Sequence, residues 1–271
     1  MKGGRFRCSG AEEVRLAANV VGPGYYAHFA QPLLDAVTPG SGEVVLNVQC
    51  HTGSLARKLH AQLGGGRVVA VDNDDGLIDY ARRVAHAEQR VFFKREDSSS
   101  LSFGKEAFDL AVGVIADTPL DCLGGLLSEL RRVVCLHRGR VLLSVAAARS
   151  IQPLLEMLDE VARFEGDTEL RIRLQTHPET TFAQWTKGAR AAGFETIQCR
   201  PESFRLPYRS AREIPDDPLA RSTFWPGLLR LASSDEKVAE ARLRAAVERL
   251  AVYTCGGPLA LPVQLNVLTL S

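Results

Sequence analysis

Glu43-Val44-Val45-Leu46-Asn47-Val48 runs directly into Gln49-Cys50-His51-Thr52-Gly53 and then into Ser54-Leu55-Ala56-Arg57-Lys58-Leu59. The first stretch is a short β-branched run, suited to a strand buried on both faces. The last reads as a helix, so the middle is a strand-to-helix loop. Working outward, Leu63-Gly64-Gly65-Gly66 stops the helix, because glycine accepts the left-handed conformation at a helix end. Arg67 to Asp72 is a second strand, and Asp75 to His86 a helix with Leu77, Ile78, Ala81, Val84 and Ala85 on one stripe.

The alternation continues. Strands are expected at 90–94, 108–114 and 139–145, with a helix over 123–134 between the last two. Parallel neighbours need a crossover helix, so this order predicts a doubly wound, mostly parallel α/β sheet. Farther on, helices are expected over 151–164 and 182–192, and strands over 195–199 and 261–270. Residues 208 to 258 hold Pro215, Pro218 and Pro226 and a helix near 234–250, but no clear strand. The expected organisation is an α/β domain over 1–207 and 259–271, of seven strands, with a helical cap, 208–258, inserted before the last strand.

Composition bounds the function. Lys plus Arg total 33 against 32 Asp plus Glu, and a net charge of +1 argues against duplex nucleic acid or an anionic membrane as partner. No apolar run approaches the roughly 18–20 residues that cross a bilayer. The six cysteines are scattered without a CxxC pair, which reads as reduced thiols in a cytoplasm. A metal site is not expected, since Cys50 and His51 lack a second pair at zinc-like spacing.

In open α/β sheets ligands bind beyond the carboxyl ends of the strands. The first such end is the loop from Asn47 to Gly53. The second is Asp72-Asn73, where an acid can accept both hydroxyls of a ribose, although Asp72 could equally cap the following helix. The third is Glu96-Asp97-Ser98, which also suits a plain turn. The fourth is Val114-Ile115-Ala116-Asp117. Gly64-Gly65-Gly66 precedes a strand instead of opening a helix, so it reads as a connection and not as a phosphate cradle.

Taken in order, these edges resemble the class I S-adenosylmethionine-dependent methyltransferases over about residues 24 to 271. Val45 to Gly53 is similar to the family's first motif, VLDVGCGTG. Val69-Ala70-Val71-Asp72-Asn73 resembles its ribose-binding strand end, and Asp97-Ser98 its adenine-side acid. Leu130-Arg131-Arg132-Val133-Val134 with Arg138 to Leu143 resembles its RVL…PGGRLL segment, and Ala191-Ala192-Gly193-Phe194 its AGF turn. The resemblance implies a Rossmann-like methyltransferase fold and S-adenosylmethionine as cofactor. It places that cofactor at Asn47, Gln49, Cys50, His51, Gly53, Asp72, Asn73, Asp97, Ser98, Val114 and Ile115.

The chain departs from the pattern where Asn47 replaces Asp and where Gln49 and His51 replace two glycines; a bacterial subset with LQCH shares this form. Two functions follow. One is a methyltransferase acting on a small organic acceptor, as a monomer or homodimer. The alternative is an inactive member whose pocket is altered by Gln49 and His51 and which serves as a binding or scaffold module. A nicotinamide dehydrogenase is disfavoured by the missing G-x-G-x-x-G. No catalytic residue is assigned; the candidate bases are Asp117, His28 and His51. Tyr25 and Tyr26 either fold over the pocket or pack an N-terminal helix on the sheet. Phe224, Trp225, Leu228, Leu229 and Leu231 hint at a partly apolar acceptor.

Overall fold

The computed structural model describes residues 10–37, 42–64, 66–85, 90–116, 122–147, 150–176 and 182–271. The chain divides into two compact units. The first holds Met1–Ala146, Thr180–Glu202 and Leu265–Ser271; the second holds Ala147–Glu179 and Ser203–Gln264.

The first unit opens with helix α1 (Ala11–Leu16), a π-helix (Ala17–Tyr26) and α2 (Ala27–Ala36). The α/β alternation follows: β1 (Val44–Val48), α3 (Ser54–Gln62), β2 (Arg67–Asp72), α4 (Asp75–Val84), β3 (Val91–Arg95), β4 (Leu110–Ile115), α5 (Leu123–Val133) and β5 (Arg140–Ala146). After α6 (Gln152–Glu165) and α7 (Thr168–Thr176) come α8 (Phe182–Ala191), β6 (Ile197–Tyr208) and, at the end, β7 (Leu259–Leu270). The sheet has seven strands in the order β3-β2-β1-β4-β5-β7-β6. Its first five strands pair in parallel, with Asn47 opposite Ala70 on one side and Val112 on the other. β7 joins β5 antiparallel, Ser144 facing Val267.

The strand order reverses between β1 and β4, which is where an open parallel sheet leaves a crevice. On one face, Leu46, Val48, Ala111 and Ile115 form a core with Leu126, Leu127 and Leu130 of α5 and Trp185 of α8. Successive strand residues point to opposite faces. Asn47, Val112 and Val114 therefore face the other way, where α2 packs on β4, β5 and α3.

In the second unit α6 packs against α11 (Glu236–Tyr253), helped by a 3₁₀ turn (Ala211–Asp216), α9 (Pro218–Ser222) and α10 (Trp225–Ala232). Arg242 donates to Glu165 at 2.8 Å and to Asp167 at 2.6 Å, and Asp235 caps α11 through the Lys237 and Val238 N–H groups. This unit takes in more chain than the expected cap 208–258, because α6 and α7 pack with it. Trp225, Leu228 and Leu231 are buried, so that part of the apolar composition serves the protein's own packing.

β6 is much longer than the expected 195–199. It carries Pro201 and Pro207, which break a strand pattern yet are tolerated here because β6 is an edge strand. Among the described residues no helix is long and apolar enough to cross a membrane.

Candidate functional site

β1 ends with the chain entering three left-handed positions in five residues: Gln49 at φ 53°, His51 at φ 50° and Gly53 at φ 73°. For side-chain-bearing residues this conformation costs about 1–2 kcal/mol each, so the surroundings must hold it. They do. The Cys50 N–H donates to the Val71 carbonyl at 3.0 Å, and the Gly53 N–H to the Cys50 carbonyl at 2.8 Å. The His51 N–H donates to Asp72 Oδ2 at 2.9 Å, and Arg57 braces the Thr52 carbonyl at 3.0 Å. Thus the backbone keeps a glycine-loop path even where two glycines are replaced.

Gly53 is needed twice over. It has a positive φ, and a Cβ there would land on the Phe93 ring.

Asp72 is buried at the end of β2 and does not cap α4. Its Oδ1 accepts the Asp74 N–H at 3.2 Å, while Asp74 itself caps the helix by accepting the Leu77 N–H at 3.0 Å. Asn47 lies beneath the loop, completely buried. Its Nδ2 donates to the Val48 and Val112 carbonyls at 3.2 and 3.1 Å, contacts a carboxylate could not make. Its Oδ1 is buried with no hydrogen-bond partner. Burial, reinforced by the Asp72 carboxylate, pushes the Cys50 thiol well above its ordinary range, so it is a packing group and not a nucleophile.

Several of these residues meet at one cavity, whose lining includes neither Asp72 nor Gly53. Asn47, Gln49, Cys50, His51 and Val114 line it, together with Ala17, Gly22 and Tyr26 from the π-helix and Lys58 from α3. Gln49 reaches Ser98, Nε2 to Oγ, at 3.5 Å. The remaining expected residues lie elsewhere. Ile115 does not line this cavity, because the alternation of β4 turns its side chain into the opposite core. Asp97 is exposed and accepts both the N–H and the hydroxyl of Ser99, at 2.9 and 2.7 Å, in a tight turn. Asn73 offers its carbonyl to Arg95 at 3.5 Å.

Of the candidate bases, His28 is exposed on α2, His51 lines the cavity, and Asp117 lies outside the described residues. Gly22 and Lys58 had no expected role, since neither belongs to a strand-end motif. The aromatic pair divides: Tyr25 is buried against Phe29, with centroids 5.2 Å apart, whereas Tyr26 stacks on His51 at 4.0 Å and 29°. Among the described residues no cluster of three or more His, Cys, Asp or Glu could hold a metal.

Residues 45–135 match the profile of a family described as "Methyltransferase domain". Over these residues the chain is similar to methyltransferase domains. A demethylmenaquinone methyltransferase of Clavibacter sepedonicus is 28% identical over 183 residues, 61% of this chain and 71% of that protein. The Bacillus subtilis YcgJ protein superposes with a TM-score of 0.59 at 16% identity, covering 90% of this chain and 97% of its own. Phosphoethanolamine N-methyltransferase 2 of Haemonchus contortus, in complex with S-adenosyl-L-methionine, gives 0.55 at 15% identity, over 96% of this chain and 57% of its own. At such identities the two structures show the fold of the methyltransferase domain and no more.

The donor set suits S-adenosylmethionine in kind: a carboxylate at the β2 end, a buried orphan carbonyl oxygen at Asn47, and a loop whose path follows a glycine motif. Room is another matter. The cavity measures about 40 Å³, against roughly 300–1,000 Å³ for ligand pockets in general.

Proposed function

We propose that this chain transfers a methyl group from S-adenosylmethionine to a small organic acceptor. The observation that carries the reading is the β1–α3 loop, which passes through left-handed positions 49, 51 and 53 and is tied at His51 to the buried carboxylate of Asp72. That arrangement sets an acid beside a tight loop at the switch point of the sheet, the place an α/β fold offers a nucleoside. The Clavibacter relative is named for a small organic acceptor, and the Haemonchus neighbour holds the sulfonium donor; both support the reading.

In this reading Asp72 accepts from the sugar hydroxyls, and Asn47 Oδ1 accepts from the ammonium of the methionine part. S-adenosylmethionine supplies an electrophilic methyl carried on sulfonium sulfur. The protein's part is alignment, since an in-line displacement gains most from holding its reactants in register. A base is required only where the acceptor must lose a proton.

Calorimetric titration with S-adenosylhomocysteine tests the proposal. Micromolar binding that disappears in Asp72→Ala is the expected result. A flat trace at millimolar ligand, for the wild type and for Tyr26→Ala and Gly22→Ala alike, overturns it in favour of a non-catalytic member of the fold.

A further inference from the structure

We propose that the π-helix Ala17–Tyr26 is a displaceable plug, so that binding of the methyl donor and the winding of this segment form one linked equilibrium. The inference rests on the donor reading above and concerns how its crevice is closed.

Three independent features carry it. The first is the winding itself. π-helices occur mostly as single-turn bulges, yet this one runs for ten residues and includes Pro23, which contributes no N–H to the ladder. The ladder therefore lacks one donor at Pro23, inside a winding that is uncommon at this length. Gly22 suits this winding, because a Cβ there would come within 2.9 Å of the carbonyl oxygen of Ala17 in the same helix.

The second feature is where the segment ends. Tyr26, its last residue, lays its ring on His51, the residue whose backbone is held by Asp72. Ala17, Gly22 and Tyr26 together form one wall of the cavity whose other wall is the β1–α3 loop. With the segment in place only about 40 Å³ is left beside Asn47, room for water but not for the methionine part of the donor.

The third is the orphan. Asn47 Oδ1 is fully buried and has no partner, and Asn47 lines that same cavity. Buried polar atoms are almost always satisfied, so an acceptor left over at this spot marks a place where a donor group goes. A crevice built to receive a ligand but too small to hold it is a crevice with a cover.

The population of the open state then scales the apparent affinity, Kd,app being the intrinsic Kd divided by the open fraction. Removing the aromatic stack raises that fraction. From the usual worth of such a pair, Tyr26→Ala should tighten binding roughly two- to tenfold. Gly22→Ala, which disturbs the winding without touching the stack, should act in the same direction.

The test uses the full chain, with hydrogen exchange at amides 17–26 and calorimetry with S-adenosylhomocysteine. Unliganded Tyr26→Ala and Gly22→Ala should exchange faster at 17–26 while β1, β4 and β5 keep their protection. Both should bind more tightly than wild type, and Tyr26→Phe, which keeps the ring, should retain wild-type exchange. Wild type saturated with ligand should exchange faster at 17–26 than without it. Binding by the variants alone also supports the plug. If wild type binds with exchange at 17–26 unchanged or slowed, and Tyr26→Ala binds no better, the plug is overturned while the donor reading stands. Absence of binding by every variant overturns the donor reading and the plug with it. Should Tyr26→Ala fail to fold, Gly22→Ala carries the same comparison.

Discussion

The backbone N–H of His51 donates to Oδ2 of Asp72 at 2.9 Å, while Oδ1 of the same carboxylate accepts the Asp74 N–H at 3.2 Å. One buried side chain therefore ties the first loop of the crevice to the start of α4. Removing it leaves two backbone donors in a buried setting, each costing about 1–3 kcal/mol. Asp72→Ala should lower the free energy of unfolding by a few kcal/mol in urea and abolish donor binding in the same preparation. Undiminished stability would mean that the loop stands without the carboxylate.

Gln49 allows a cleaner measurement of loop strain. Gln49→Ala and Gln49→Gly both delete the contact to Ser98, so the difference between them isolates the backbone at φ 53°. In ordinary positions glycine is the less stable of the two by about 0.5–1 kcal/mol. Here the order should invert, with Gly more stable than Ala by about 1 kcal/mol. Paired urea denaturation curves decide it, and the usual order would show that the loop relaxes out of the left-handed region.

Asn47→Asp, which restores the acid of the family motif, should be harmful in this chain. The amide donates to the Val48 and Val112 carbonyls. A carboxylate there would face two oxygens in a fully buried position, a loss of about 2–4 kcal/mol at neutral pH. Burial raises the folded-state pKa of the new acid. The variant should therefore approach wild-type stability at low pH and lose it as pH rises from the unfolded carboxyl range through the folded value. Thermal unfolding of the two proteins between pH 4 and pH 8 gives the comparison.

The parts of this molecule legible in the sequence are those where one periodicity acts alone. Val44–Val48, Arg67–Asp72 and Leu110–Ile115 are buried on both faces, so their apolar runs end where the strands end. Asp72 was readable as a strand-end acid, because a charged residue closing such a run has few places to go. The 12-residue β6 was not, since Pro201 and Pro207 interrupt it and only its place at the sheet edge makes them harmless. Nor was the π-helix, because Gly22-Pro23-Gly24 reads as a break in any local scale. Asp72 and Asp74 both suit a helix cap, and only the folded chain shows that Asp74 takes it. The choice of Val114 over Ile115 as the cavity residue depends on strand parity, which a run apolar at every position conceals. A signal for Tyr26 did exist: an aromatic doublet directly after a Gly-Pro-Gly turn.

Acid should loosen the loop after β3 through Glu129. Hydrogen bonds from Arg132, at 2.7 and 2.6 Å, hold the Glu129 carboxyl below its ordinary range, and the Leu101 N–H adds a third at 2.7 Å. Arg132 also donates to the Leu101 and Phe103 carbonyls, so the pair fastens 101–103 to α5. With the folded pKa depressed, the contribution is complete above the unfolded carboxylate range, near pH 4.3, and fades as pH falls through the lower folded value. Glu129→Gln should flatten that part of the acid stability profile. A variant with the wild-type slope below pH 4.3 would show the pair to be energetically silent.

Gly53→Ala brings two costs that can be separated. The residue sits at φ 73°, where an L side chain costs about 1–2 kcal/mol. Its Cβ would also fall on the edge of the Phe93 ring, 2.7 Å from Cζ and 3.1 Å from the Ala81 Cβ. Overpacking of that kind adds about 1–3 kcal/mol. The single variant should therefore lose roughly 2–5 kcal/mol. Phe93→Leu removes the ring edge and leaves the backbone untouched, so in the double variant the overpacking cost should vanish while the backbone cost stays. A double-mutant cycle in urea should then return a coupling of about 1–3 kcal/mol, with the combination less damaging than the sum of its parts. Strict additivity would mean that the chain yields at the loop itself, carrying Gly53 away from Phe93, and that the close approach of α3 to β3 plays no part in shaping the crevice.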